Sequence, residues 1–300
     1  MWGIPISLYL FLAGLSAGAF TVASLAELRA DASSKDSAAG ELLVRRVGSI
    51  TAVVALVAGT LFLLADARGG LSNPTALFGL LSNWASPMTW GVAIIILSLV
   101  FEVLAVVRAF GDKRANNVLV GVGLFFAAAL AVYTGVLLSA SQPVPLWNSG
   151  ALVVLFVASA FLSGTALVLL ASRLIAKDEA LIGVSQLIAS YEKPFIAAGA
   201  LEALTLFAHL FAVAQAAPAG GATVASLLSG TFALPFWIGI VAIGIAVPLF
   251  SEVYTIRRQD GQAAAAGTVQ LAGFVAIVVG AAILRILIVV AAQANVISVL

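Results

Sequence analysis

Eight stretches of almost uninterrupted apolar sequence, each about 20 residues or longer, dominate this 300-residue chain and leave few folds open to it. A helix rises 1.5 Å per residue, so about 20 apolar residues match the roughly 30 Å hydrocarbon core of a bilayer. Inside that core every backbone N–H and C=O needs an internal partner, which a helix supplies within one segment. The stretches run roughly from Trp2 to Ala26, Val47 to Ala65, Met88 to Val107, Asn117 to Ser139, Ala151 to Ser172, Pro194 to Gln215, Leu234 to Ile256 and Ala266 to Ala292. Loops of about 7 to 22 residues are left between them, too short to fold separately. The expected fold is an all-α integral membrane protein, with eight transmembrane helices in a single membrane domain over residues 1–300. Only 9% of residues are charged, against about 25% in an ordinary soluble domain, which excludes a soluble enzyme.

The placement of charge sets the orientation. Of the 14 basic residues, Arg29, Lys35, Arg45, Arg46, Arg108, Lys113, Arg114, Arg173, Lys177, Lys193, Arg257 and Arg258 belong to one set of loops. The other set holds only Arg68, and Arg285 lies within a span. By the positive-inside rule the crowded side is cytoplasmic, so both termini lie outside, as expected of a multi-pass protein of a prokaryotic inner membrane. No basic residue precedes the first span, which therefore reads as retained rather than as a cleaved signal. A net charge of +1 gives no field for nucleic acid, leaving the lipid membrane and other subunits as partners.

An internal repeat is one reading of the pattern. Pro87, Trp90, Gly91, Glu102, Val103 and Arg108 lead into span four, and Pro235, Trp237, Gly239, Glu252, Val253 and Arg258 lead into span eight in similar order. That order fits a parallel 4+4 repeat of residues 1–139 and 151–292. The other reading is that spans of like orientation share interfacial Trp and a terminal acid in any case.

An ionisable group at bilayer depth costs at least about 2.5 kcal/mol, so each one needs a reason. Counted from the basic ends, Asp66, Tyr133 and Arg285 lie roughly 25 to 28 Å up and His209 about 22 Å. At a shared depth on four helices they could form a pocket of the kind a quinone head group needs, with donors for its oxygens and a group that exchanges protons. Each also has a structural reading: Tyr133 in an aromatic belt, Arg285 snorkelling or paired with Asp66, His209 as a satisfied interior group. Glu102, Glu252 and Glu27 fall near the inner ends of their spans, where Glu27 and Glu252 can be solvated at a helix end or paired with Arg29 and Arg257. Glu202, about 12 Å in from the inner end of span six, is the leading proton-relay candidate, with Asp66, Glu102 and Glu252 as further proton-transfer candidates. Gly14 and Gly18 form a GxxxG suited to close helix approach. Ser86 followed by Pro87 reads as a helix cap and first turn, and Asn148 or Ser149 can cap span five.

The chain has no cysteine and one histidine. It therefore cannot hold an iron–sulfur cluster on thiolates or a bis-histidine haem, and no metal site is expected. Electrons handled here must belong to another subunit or to a diffusible carrier.

Several motifs resemble one family. They are Trp2-Gly3 with Tyr9-Leu10-Phe11-Leu12-Ala13-Gly14-Leu15-Ser16-Ala17-Gly18, Ser86-Pro87-Met88-Thr89-Trp90-Gly91, Tyr133-Thr134-Gly135-Val136-Leu137-Leu138-Ser139 with Pro145-Leu146-Trp147-Asn148, and Leu155-Phe156 through Ser159-Ala160 to Gly164. In order over the whole sequence, they resemble the NrfD/PsrC, or polysulfide reductase type, family. The resemblance implies a quinone-reactive membrane subunit of an anaerobic respiratory oxidoreductase, using menaquinone or ubiquinone. It further implies a four-cluster iron–sulfur (4Fe-4S) partner and a molybdenum or tungsten pterin catalytic subunit. It gives Tyr133 the role of quinone contact and Asp66 that of its proton partner. Where some members place a His or Asn near the outer end of span one, this protein reads Ile4-Pro5-Ile6-Ser7-Leu8-Tyr9, so Ser7 and Tyr9 are candidate substitutes.

The expected function is quinone binding with electron exchange to an iron–sulfur subunit on the outer face. Gly69 to Ser86, uncharged and holding Leu77, Phe78, Leu80, Leu81 and Trp84, suits a docking surface there. A proton-coupled secondary transporter is the alternative; broken Gly or Pro helices at mid-membrane would favour it, and the span interiors read as largely free of Pro. A reporter active only in the cytoplasm should give no signal when fused to either terminus; activity at either end would overturn the assigned topology.

Overall fold

The computed structural model describes residues 3–29, 35–66, 86–111, 116–140, 144–257 and 263–297. Among them the elements are α1 (Ile4–Arg29), α2 (Lys35–Asp66), α3 (Pro87–Phe110), α4 (Asn117–Ser139), α5 (Gly150–Ile175), α6 (Asp178–Ala216), α7 (Pro218–Leu228), a π-helical segment (Pro235–Ala246) running into α8 (Val247–Arg257), and α9 (Ala263–Ile297). Eight of the resulting spans are long and apolar enough to cross a bilayer, so this is a multi-pass membrane protein. The outer loop expected to dock a partner lies, apart from Ser86, outside the described residues.

The helix starts follow local chemistry. Ser86 Oγ accepts the Met88 N–H at 3.3 Å ahead of Pro87, whose missing N–H costs nothing in a first turn. Ser149, rather than Asn148, caps α5 by accepting the Ala151 N–H at 3.2 Å. Asn116 does the same for α4.

Two spans differ from the sequence reading, and proline is the reason in both. The sixth was expected to begin at Pro194; instead α6 starts at Asp178 and runs through Pro194 as one helix of 39 residues. In the seventh, Pro248 lies inside the span. It cannot donate to the Gly244 carbonyl, and its ring would press on that carbonyl in a regular α-helix. The twelve residues before Val247 take the wider π register instead, which keeps Pro235–Arg257 helical throughout. A further short helix, α7, lies between these spans.

The centre of the bundle is α1, buried along most of its length and packed against α2, α5, α4 and α9. Beside this contact α2 packs on α6, while α3 and α4 flank one side and the π segment, α8 and α9 the other. The α1–α5 crossing is set by Gly18 and Gly164. A Cβ on Gly18 would meet the Gly164 Cα at 2.9 Å, and it would overlap the Ala160 carbonyl. The GxxxG expectation thus holds at Gly18, where no side chain can be added without separating two backbones. Gly18→Val should destabilise the protein by about 1–3 kcal/mol, the usual cost of overpacking. Gly121→Ala, where nothing lies within 4 Å, should not. Thermal aggregation of the detergent-solubilised variants distinguishes the two.

Candidate functional site

The four candidate residues of the outer layer are not joined to one another: no hydrogen bond or ion pair links any two of Asp66, Tyr133, His209 and Arg285 among the described residues. Two separate polar centres lie on opposite faces of α1.

The first centre lies between α1, α3 and α4. Tyr133 is buried, with its ring and hydroxyl against Gly91, so that any Cβ at residue 91 would overlap the phenol. The Ser-Pro-Met-Thr-Trp-Gly motif thus starts α3 and delivers a residue without a side chain to the tyrosine. Tyr9 on α1 is 0% exposed, lies close enough to Tyr133 for their charges to interact, and has a hydroxyl with no hydrogen-bond partner. Asp66 ends α2 half-buried beside the start of α1, its carboxylate 3.7 Å from where a Gly3 Cβ would stand. Six residues of α1, about 9 Å, separate Gly3 from Tyr9. Two turns below Tyr9 on the same face, Ser16 Oγ donates to Glu102 Oε1 at 2.6 Å, and Glu102 Oε2 is buried without a partner.

The second centre is built around Arg285, 0% exposed. Its Nε donates to the Leu10 carbonyl at 3.2 Å, Nη1 to Ser159 Oγ at 3.0 Å and the Ala281 carbonyl at 3.2 Å, and Nη2 to the Phe156 carbonyl at 3.3 Å. The guanidinium also lies over the Phe156 ring, 5.0 Å from its centroid. Gly14 makes room for it: a Cβ there would stand 2.7 Å from Nη2, so this half of the GxxxG serves a charge rather than a helix crossing. The Ser159 hydroxyl and the Arg285 charge both act on the Glu202 carboxyl. The Asp66–Arg285 pair considered from sequence is replaced by this Glu202–Ser159–Arg285 group. His209, seven residues beyond Glu202 on the same face of α6, is 0% exposed with both ring nitrogens unpartnered.

The inner acids are more enclosed than their depth suggested. Glu27 is buried and takes Arg108 at 3.0 and 3.3 Å and Arg45 at 3.3 Å. The expected neighbour Arg29 instead donates to Ser190 Oγ and lies over the Tyr191 ring. Glu252 accepts from Gln270 Nε2 at 3.4 Å rather than pairing with Arg257. Sequence reasoning gave no role to Ser16, Ser159 or Gln270. Their signal was a small or amide polar group in mid-span, which in a membrane helix needs a partner.

The comparisons with known proteins agree with this arrangement of motifs. The family model described as Polysulphide reductase, NrfD matches residues 1–297. The chain belongs to this family. Protein NrfD of Escherichia coli K12 is 29% identical over 99% of the present sequence and 96% of its own length. The Protein NrfD homolog of Haemophilus influenzae is 29% identical over 86% of the present sequence and 85% of its own length. A component of the polysulfide reductase of Wolinella succinogenes is 28% identical over 92% of the present sequence and 92% of its own length. Breaking a buried charge pair by removing one partner generally costs about 3–5 kcal/mol. Arg285→Gln should be destabilising on that scale, and less so when combined with Glu202→Gln. A double-mutant cycle on thermal stability should give a coupling of about 0.5–3 kcal/mol; additive losses would show that Arg285 and Glu202 act independently.

Proposed function

We propose that this protein is the quinone-reactive membrane subunit of a respiratory oxidoreductase in a bacterial inner membrane, as membership of the NrfD family and its likeness to a polysulfide reductase component support. The observation that carries the reading is the Tyr9–Tyr133 pair: a fully buried phenol with no protein partner, within electrostatic reach of a second phenol that packs against Gly91. A buried hydroxyl left unpaired costs about 1–3 kcal/mol, so the pair suits a ligand that accepts hydrogen bonds, such as a quinone oxygen.

Menaquinone or ubiquinone would supply the two-electron, two-proton chemistry when bound. Tyr133 and Tyr9 donate to its head group and orient it. Asp66, beside Gly3 at the start of α1, exchanges protons with it and with the outer solution. Arg285, with every guanidinium nitrogen engaged, acts across α1 through its positive charge, and His209 is the second group able to take a proton. Glu102 and Glu202 hold protons deeper in the bundle. Having no cluster ligands of its own, the protein passes electrons to a 4Fe-4S subunit on the outer face, which serves a molybdenum or tungsten pterin catalytic subunit. A secondary transporter of the broken-helix type offers helix ends at mid-membrane; here the proline-containing seventh span stays helical from Pro235 to Arg257, which favours the quinone reading.

Tyr133→Phe removes one donor and keeps the ring, so quinol affinity in the assembled complex should fall by about 0.5–1.5 kcal/mol, tenfold at most. Unchanged quinol kinetics would remove Tyr133 from the site. Asp66→Asn keeps shape but cannot titrate, so turnover should drop roughly 10²-fold with assembly intact; wild-type turnover across pH would pass the proton role to His209. Crosslinking probes at Ser72 or Ser82 should capture an iron–sulfur subunit. Capture only from Ser34 or Ser185 would put that partner on the opposite face.

A further inference from the structure

At the Arg-rich ends of α1, α2 and α3 the charges are not balanced within the protein. Glu27, in the last turn of α1, meets two cations: Oε1 accepts from Arg108 Nε at 3.0 Å and lies 3.3 Å from Arg45 Nη2, while Oε2 accepts from Arg108 Nη2 at 3.3 Å. One carboxylate oxygen thus draws two guanidinium groups together. A third follows on α2, where Arg46 donates from Nε to the Ala109 carbonyl at 3.0 Å and lies over the Phe110 ring, 5.0 Å from its centroid. The charges that act on Arg45 are those of Glu27, Arg108 and Arg46. Among the described residues, three cations therefore share one carboxylate, which leaves a surplus of two positive charges.

The donors are not used up either. A guanidinium carries five N–H groups in a fixed fork. Arg45 Nε and Arg108 Nη1 are buried with no hydrogen-bond partner, and Arg45 Nη2 faces Glu27 as an ion pair without a directed hydrogen bond. A basic side chain that merely snorkels ends in water, as at Lys193 and Arg257, which are exposed. The Arg45 and Arg108 side chains are instead only 13% and 11% exposed. Enclosed charged donors in surplus over their acceptors call for an anion.

The surroundings say which kind. α2 begins at Lys35, about 15 Å of helix before Arg45, so the arginine meets the ends of α1 and α3 from within the bundle rather than from a loop. Leu42, one turn before Arg45 and Arg46, is exposed, as are Val107 and Phe110 on either side of Arg108. An anion reaching these arginines thus arrives beside apolar side chains, at the level where the phosphate of a lipid meets its acyl chains.

We propose that Arg45, Arg46 and Arg108 bind the phosphate of an anionic phospholipid in the leaflet on the Arg-rich side of the membrane. The guanidinium fork matches phosphate oxygens, and basic pockets between helices are a known means of holding anionic head groups. The phosphate enters at the part of the Arg45 and Arg108 side chains that remains open, and a turn of each flexible side chain brings its spare N–H groups to it. The acyl chains lie against Leu42, Val107 and Phe110. Glu27 is a positioning residue that keeps two of the forks together. The site goes beyond the quinone reading and does not rest on it.

Native mass spectrometry of the full-length protein in neutral detergent tests the site without any quinone, with phosphatidylglycerol and phosphatidylcholine competing in equal amounts. Phosphatidylglycerol should be retained in preference; equal retention of the two lipids overturns the site. Arg45→Gln should lower that retention roughly tenfold, the scale of one hydrogen bond to a charged group. Arg257→Gln, the same loss of charge at an exposed residue, should leave it unchanged. An equal fall in both variants would show diffuse attraction and overturn the proposal. Should Arg45→Gln fail to fold because Glu27 loses a partner, Arg46→Gln leaves both Glu27 ion pairs in place and the same comparison decides. Thermal unfolding separates the sources of phosphate: phosphatidylglycerol should raise the melting temperature of the wild type and inorganic phosphate at the same concentration should not. Equal protection by inorganic phosphate overturns the lipid assignment.

Discussion

The close approach of α1 and α5 at Gly18 and Gly164 is the contact on which the polar interior depends. Hydrophobic burial does not hold helices together in lipid, where tails are as apolar as leucine; packing and internal hydrogen bonds do. Here two helices meet backbone to backbone, and one turn nearer the N-terminus the same face carries Gly14, where the gap is filled by the Arg285 guanidinium. The guanidinium can then reach the Leu10 carbonyl of α1 and the Phe156 carbonyl of α5 at once. A bulkier residue at Gly18 would move α5, and with it the Phe156 carbonyl and the Ser159 hydroxyl that hold the arginine and the Glu202 beside it. A centre containing an ionised group in the membrane thus rests on a contact that has no charge at all.

The number of spans and their order were legible in the sequence, because run length and apolarity act locally and need no partner. The caps at Ser86 and Ser149 were legible for the same reason: a hydroxyl one residue before a helix satisfies that helix alone. The extension of α6 through Pro194 was not, since a proline reads as a helix start unless neighbouring helices hold the backbone on both sides of it. The interior was legible only in part. Depth counting picked out Tyr133, Arg285, Glu202 and Glu102 correctly as buried polar groups, but depth carries no azimuth. Tyr133 and Arg285 share a height and face opposite sides of α1. Glu27 and Arg29 are two residues apart and therefore point to different neighbours, Glu27 to Arg45 and Arg108, Arg29 to Ser190 and Tyr191.

The buried polar groups differ in how far the protein itself satisfies them. Every guanidinium nitrogen of Arg285 donates to a protein oxygen, and Glu27 holds two arginines. Such groups have little left to offer a ligand, and each costs several kcal/mol if one partner is removed. Tyr9 Oη, the His209 nitrogens, Glu102 Oε2 and Glu252 Oε1 are as deeply enclosed and have no protein partner. In a folded protein buried polar atoms are overwhelmingly paired, so an unpaired set of this size points to water, protons or a bound molecule at those atoms. The unpaired atoms lie on both sides of α1: phenol and carboxyl between α1, α3 and α4, carboxyl and imidazole on the α6 and α8 faces. Arg285 sits between the two sets, bonded to α1 and α5 and electrostatically coupled to Glu202. Protonation of Glu202 would remove the negative charge that acts on Arg285 and leave the guanidinium held by its hydrogen bonds to α1, α5 and its own helix, so the centre keeps its geometry through a change of charge.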